Sequence, residues 1–202
     1  MATLVVIDRD GLPALTMRAV AKELGMATMS LYRYVRDKDE LEALVVDQVL
    51  ATVDLAVPHG DWRERLTALL NRVRDAVLTH PATVPLLLRH RHSAPASRRM
   101  IEATLAVLTD AGFTGTERVI AQRTLVAYLL GALQNAHFGP LSGPGTATMA
   151  ALPADEFPLL AAAAADAEAV SADVEFGSGL AAVLRGLGSG AGAREVLDVN
   201  GV

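Results

Sequence analysis

Between Thr16 and Lys38 the chain carries hydroxyls, cations, phenols and one thioether: Thr16, Arg18, Thr28, Met29, Ser30, Tyr32, Arg33, Tyr34 and Lys38. These side chains suit recognition better than bond breaking. A guanidinium can bond bidentately to the edge of a guanine, and hydroxyls and ammonium groups can hold phosphate oxygens. From Leu12 to Lys38 five cations (Arg18, Lys22, Arg33, Arg36, Lys38) stand against Glu23 and Asp37, a local net of +3 in a chain whose formal charge is −5. An acidic body with one basic patch fits a protein that meets a polyanion at a single place.

Positioning such residues takes a helix, a sharp turn and a second helix. In "TMRAVAKELGMATMSLYRYVRDKDEL" (16–41) Thr16 is placed to cap a first helix running to Leu24, and Gly25 to close it. Thr28 is placed to cap a second helix to about Val35, and Ala21 offers a small side chain where the two cross. Val20, Leu24, Met26 and Leu31 fall where both helices would be pinned to a third. Asp37 and Glu40 have capping-box spacing and open a longer helix to about Val53. An Ala-x-x-x-Gly pair alone also fits a plain helical hairpin with a solvated basic face.

The rest of the chain reads as all-α. Of 202 residues, 51% are hydrophobic and only 4% aromatic, so Ala, Leu and Val must fill the core, a mix that favours helices over strands. Apolar residues recur at helical spacing from Trp62 to Val77, and further helices are expected at 98–111, 116–138, 155–170 and 174–187. Pro81, Pro85 and Pro95 break the stretch between, "VPHGD" (57–61) reads as a linker, and 139–153 as a flexible loop. The tail from Gly188 is expected to be mobile. The division is a first domain over 1–53 and a second over 54–202. There is no cysteine, no signal-peptide pattern and no apolar run near the ~20 residues that span a bilayer, so a soluble, cytoplasmic protein is expected.

The stretch from Leu15 to Leu41 resembles the DNA-binding segment of the tetracycline-repressor (TetR) family. Weaker similarity to its tetracycline-repressor branch covers "DWRERLTALLNRVRDAVLTHP", "IEATLAVLTDAGFT" and "FGSGLAAVLRGL". The resemblance implies that Thr28, Met29 and Ser30 meet base edges, with Arg33 further along the same face. It implies that Arg18 reaches a guanine and that Thr16, Tyr32 and Lys38 hold phosphates. Tyr34 is left open between phosphate ligand and core residue. Only about ten residues precede Gly11, fewer than the family's usual first helix and arm.

The resemblance further implies a homodimer on a palindromic operator and a small-molecule effector of unknown identity. The pairing helices would carry Leu125, Leu129 and Leu133 on one side and Phe176, Leu180 and Leu184 on the other, although each stripe also fits an ordinary core. Trp62, Arg72, His80, His92 and Gln134 are the candidates for lining an effector pocket. Tetracycline itself is not expected. "RHRHSAPASRR" (89–99) reads as a solvated loop, since His90 and His92, two apart, point to different sides of a helix. No metal site, cofactor, membrane segment or enzymatic constellation is expected. The rival reading is a helical dimer that acts through protein partners without binding DNA.

Overall fold

The computed structural model describes residues 1–190, and no strand occurs among them. Helix α1 (Ala2–Asp10) ends at Gly11, whose φ of 82° suits a residue without a Cβ. Helices α2 (Met17–Glu23) and α3 (Thr28–Leu31) form the crossing pair, and α4 (Lys38–Leu50) leads away from them. Then come α5 (Trp62–Leu78), α6 (Val84–His90), α7 (Pro95–Asp110) and α8 (Gly115–Phe138). The chain finishes with α9 (Pro144–Ala150), α10 (Pro158–Ala167) and α11 (Ala172–Gly190).

Local rules account for most of these boundaries. The Thr16 hydroxyl accepts the Ala19 N–H at 3.1 Å, and Gly25 takes φ 67° after α2. Asp37 accepts the Glu40 N–H at 2.8 Å, but the capping box stays half made. The Glu40 carboxylate turns back to the Arg36 N–H at 2.7 Å rather than to Asp37. Thr28 is not a cap: Ala27 holds that position, and α3 is a single turn extended by looser turns through Tyr34. Tertiary burial of Leu31 and Val35 holds this short piece in place.

Other expectations need correction. Leu24 and Met26 do not pin the pair; they are 47% and 36% exposed, while Val20, Ala21 and Leu31 do that work with Leu4 and Ile7. The nine residues of α1 suffice to bury Leu4, Val6 and Ile7. Pro85 and Pro95 sit within the first turns of α6 and α7, where a missing N–H costs nothing, so they start helices rather than only ending them. Residues 139–153 contain α9, and the loop expected over 89–99 shrinks to 91–94, since α6 runs to His90 and α7 opens at Pro95. Gly188–Gly190 belong to α11, and the remainder of the expected tail lies outside the described residues.

One apolar cluster runs from Leu4 in α1 to Leu184 in α11. Helix α4 is the bridge within it, packing on α5, α6 and α7. Three polar ties fix it. Thr3 Oγ1 donates to Gln48 Oε1 at 3.1 Å, Asp47 Oδ1 accepts the Ala96 N–H at 2.6 Å, and Glu42 Oε2 meets His90 Nε2 at 3.0 Å. Helices α8 and α11 pack together, with the Tyr128 hydroxyl donating to the Phe176 carbonyl at 2.6 Å. Helices α9 and α10 pack chiefly on each other.

Candidate nucleic-acid interface and ligand cavity

Helices α2 and α3 leave one face of polar and aromatic groups uncovered. Met29, Tyr32, Arg33 and Tyr34 are exposed, with Tyr34 at 71%, which settles it as a surface residue rather than core. Arg18 is exposed on α2, and Thr28 and Ser30 are partly exposed at the start of α3. Because Thr28 caps nothing, its hydroxyl is available to an outside partner. Arg18 and Arg33 make no ion pair among the described residues, whereas Arg9 is held by Asp10 and Glu23 and Arg36 by Glu40. Intramolecular pairing therefore ties up two of the flanking cations and leaves Arg18 and Arg33 without an ion-pair partner among the described residues. Thr16 is exposed but engaged as the α2 cap.

Lys38, the first residue of α4, sits beside this face at a helix N-terminus, where unpaired N–H groups favour an anion. Its ammonium lies 3.7 Å from Glu42 Oε1, so it is a shared cation rather than a free one. Glu42 also meets Arg89 at 3.4 Å and buried His90 at 3.0 Å. The Arg36–Glu40 pairing holds the Glu40 carboxyl below its ordinary range, first through the Arg36 backbone N–H and then through its guanidinium.

Twelve residues along, the other end of α4 enters a cavity of about 340 Å³, within the range of small-molecule sites. Leu50 of α4, Leu87 of α6, Met100 and Ile101 of α7, and Val126 and Leu130 of α8 supply its apolar walls. Arg91, His92, Ser97, Gln122 and Arg123 supply its polar groups. Three buried side-chain atoms among the described residues lack a hydrogen-bond partner: Arg91 Nε, Ser97 Oγ and Gln122 Oε1. All three belong to this cavity. Buried polar atoms are rarely left unpaired, so these three are the groups in the cavity wall with hydrogen-bonding capacity to spare.

Residues 56–189 match the family described as tetracyclin repressor-like, C-terminal domain, and residues 1–43 match bacterial regulatory proteins of the tetR family. The chain belongs to the tetR family. The HTH-type transcriptional repressor DrrR1 of Streptomyces coeruleorubidus is 33% identical over 66% of this chain and 50% of its own length. The first two curated relatives are thus matched over only about half their length, 50% and 56%. The class A tetracycline repressor of transposon 1721 from Escherichia coli is 28% identical, over 92% of this chain and 87% of that protein. Apo ActR from Streptomyces coelicolor superposes with a TM-score of 0.81 at 28% identity, covering 96% of this chain and 94% of that one, and ActR has also been solved with actinorhodin. No described helix of this tetR-family chain is long and apolar enough to cross a membrane.

Of the five residues expected to line a pocket, only His92 does so. Trp62 packs edge-on against Phe113 with ring centroids 5.3 Å apart, and Arg72 holds the linker through the carbonyls of Asp54 and Ala56. His80 bonds Asp8 of α1 at 2.9 Å, and Gln134 points outward from α8. The dimer positions also need correction. Leu125, Leu129, Leu133, Phe176, Leu180 and Leu184 are all buried in the subunit's own core, so no partner can reach them. The uncovered sides are instead Ala127 and Gln134 of α8 and Gly177, Ser178, Ala181 and Ala182 of α11. Those small residues on α11 leave room for close approach of another helix. Gln122 of α8, Ser97 of α7 and Arg91 just past the end of α6 share no pattern a sequence could show.

Proposed function

We propose that this tetR-family chain is a homodimeric DNA-binding repressor, released from a palindromic operator when a small molecule occupies the 340 Å³ cavity. The observation that carries the reading is α4 itself. One end presents Lys38 beside the exposed reading face, and the other end, Leu50, forms part of the cavity wall. At 1.5 Å per residue its 13 residues join the two sites over about 20 Å. In this reading residues 1–53 are the DNA-contacting part. Thr28, Met29, Ser30 and Arg33 meet bases, Arg18 reads a guanine, and Thr16, Tyr32, Tyr34 and Lys38 hold the backbone. The uncovered faces of α8 and α11 pair two subunits, so that two α3 helices meet successive major grooves about 34 Å apart.

Selection of bound duplexes from random DNA tests this directly. The expected product is an inverted repeat, bound with an affinity that falls steeply as salt rises, because phosphate contacts release counterions. Lys38→Ala weakens all sequences alike, and Arg18→Ala relaxes choice at one base position at a cost of ~1–3 kcal/mol. Failure to enrich any common sequence refutes the repressor reading and favours a dimer that acts through proteins.

A further inference from the structure

The cavity's polar groups point to the chemical class of its occupant. We infer that the effector is an amphipathic organic anion: an apolar body carrying one ionised acid group and a neutral hydrogen-bonding group. The inference rests on the cavity being the effector site, as proposed above, and adds what that site selects. Arg91, Arg123 and His92 line it, and no aspartate or glutamate does. Arg123 has no hydrogen bond or ion pair among the described residues. Arg91 gives one guanidinium N–H to the Leu88 carbonyl, while its buried Nε has no acceptor. A donor left unpaired on a cation in a largely apolar cavity asks for an acceptor, and an ionised one gains most.

Local fields agree with this assignment. Ser97 sits in the first turn of α7, a 16-residue helix whose N-terminal end carries partial positive charge. The nearby carboxylate, Asp47, is turned onto the Ala96 N–H and is not among the residues lining the cavity. Ser97 is 1% exposed and Gln122 8%, and each has an oxygen with no hydrogen-bond partner, buried in the wall of the cavity. Gln122 Oε1 only accepts, so it calls for a hydroxyl or N–H on the occupant, and the Ser97 hydroxyl can serve either role. Leu50, Leu87, Met100, Ile101, Val126 and Leu130 surround the remainder and suit a hydrocarbon or aromatic body.

A matched pair of dyes tests the class without the natural effector in hand. Anilinonaphthalene sulfonate and N-phenylnaphthylamine share a ring system, and only the first is charged. Fluorescence titration of the whole protein with each dye is compared among wild type, Arg91→Met and Arg123→Met. The expected result is that wild type prefers the sulfonate, and that each substitution weakens it roughly tenfold while binding of the neutral amine is unchanged. Arg123 is exposed and unpaired, so its variant remains informative should Arg91→Met fold poorly. Tighter binding of the neutral amine to wild type, or sulfonate affinity unmoved by both substitutions, overturns the anion assignment and leaves the ligand cavity standing. Binding of neither dye overturns the inference and the cavity's role together. Operator selection fails or succeeds independently of all three results.

Discussion

Glu42 and His90 join α4, which starts at Lys38 after the exposed α2–α3 face, to the short helix that ends at the cavity, and each is 5% exposed. Their hydrogen bond is 3.0 Å long. Replacing either one with leucine leaves the other buried without its main partner, which costs ~1–3 kcal/mol. The remaining neighbours offer little compensation. Lys38 and Arg89 lie 3.7 and 3.4 Å from Glu42 with side chains 54% and 61% exposed, so those pairs contribute ~0–1 kcal/mol each. Asp39 is 3.9 Å from His90 and largely in solvent. Removing both partners at once takes the desolvation penalty away with the bond, and leucines of similar bulk can fill the space. The double variant Glu42→Leu/His90→Leu is therefore expected to lose less than the sum of the single variants, by at least ~1 kcal/mol. Thermal unfolding followed by circular dichroism reads this, at ~2–4 °C per kcal/mol for a chain of this size. Protein concentration must be held constant, because the Tm of the proposed dimer would depend on it. Strict additivity of the two single losses would show that the bond does not couple α4 to α6.

Three further outcomes are expected. Gly25→Ala puts a Cβ at φ 67°, where space is open but the backbone is strained, and should lower stability by ~1–2 kcal/mol in an unfolding titration while leaving the reading face in place. Glu40 has a carboxyl held below its ordinary value of 4.5, so its contribution is complete above that value and is lost as pH falls through the lower folded value. Glu40→Gln should accordingly flatten the acid limb of a Tm-against-pH curve; an unchanged limb would place the acid sensitivity in another group. Gly179→Ala drives a Cβ into the Tyr128 ring, which is tied to the Phe176 carbonyl and cannot swing freely, and ~1–3 kcal/mol of destabilisation should follow. Tyr128→Phe in the same background should recover part of that loss, since the hydroxyl oxygen is the atom the new Cβ overlaps most and the two ring carbons stand farther off at 3.0 Å.

The crossing pair was legible because its signals are local. Thr16, Gly25 and Asp37 each act within four residues, and each behaves in the structure as its type requires. Thr28 looked like a cap by the same reasoning, yet α3 is one turn long and is held by burial of Leu31 and Val35, which no local rule reports. The stripe through Phe176, Leu180 and Leu184 was correctly apolar, but periodicity cannot say which surface covers it. Here α8 of the same subunit does, together with Arg74, whose guanidinium lies 5.0 Å from the Phe176 ring and bonds Asp173 at 2.8 Å. His90 and His92 illustrate both sides. Their spacing correctly sent them in different directions, yet only tertiary structure shows one on Glu42 and the other at the cavity.

The two side-chain ties from α4 to the helices behind it divide its length unequally, and that asymmetry bears on how a ligand would reach DNA. Asp47 holds the α7 N-terminus by accepting the N–H of Ala96, the neighbour of the cavity residue Ser97. Glu42 holds α6, whose end passes directly into Arg91 and His92 at the cavity. If α7 stays fixed while an occupant pulls on Arg91, Asp47 is the pivot and Glu42 the point of drive. The lever arms follow from the helical rise: ~8 Å from Asp47 to Glu42 and ~14 Å from Asp47 to Lys38. Any displacement of α6 is then nearly doubled at Lys38. The required energy is modest, since ~1.4 kcal/mol changes an affinity tenfold. A single buried hydrogen bond lies in that range, and by reciprocity the operator must weaken the ligand by the factor the ligand weakens the operator. In the proposed function α6 is thus one route between the sites, its directional bond to Glu42 acting beside the close apolar packing of α4 on α5, α6 and α7, which also transmits strain.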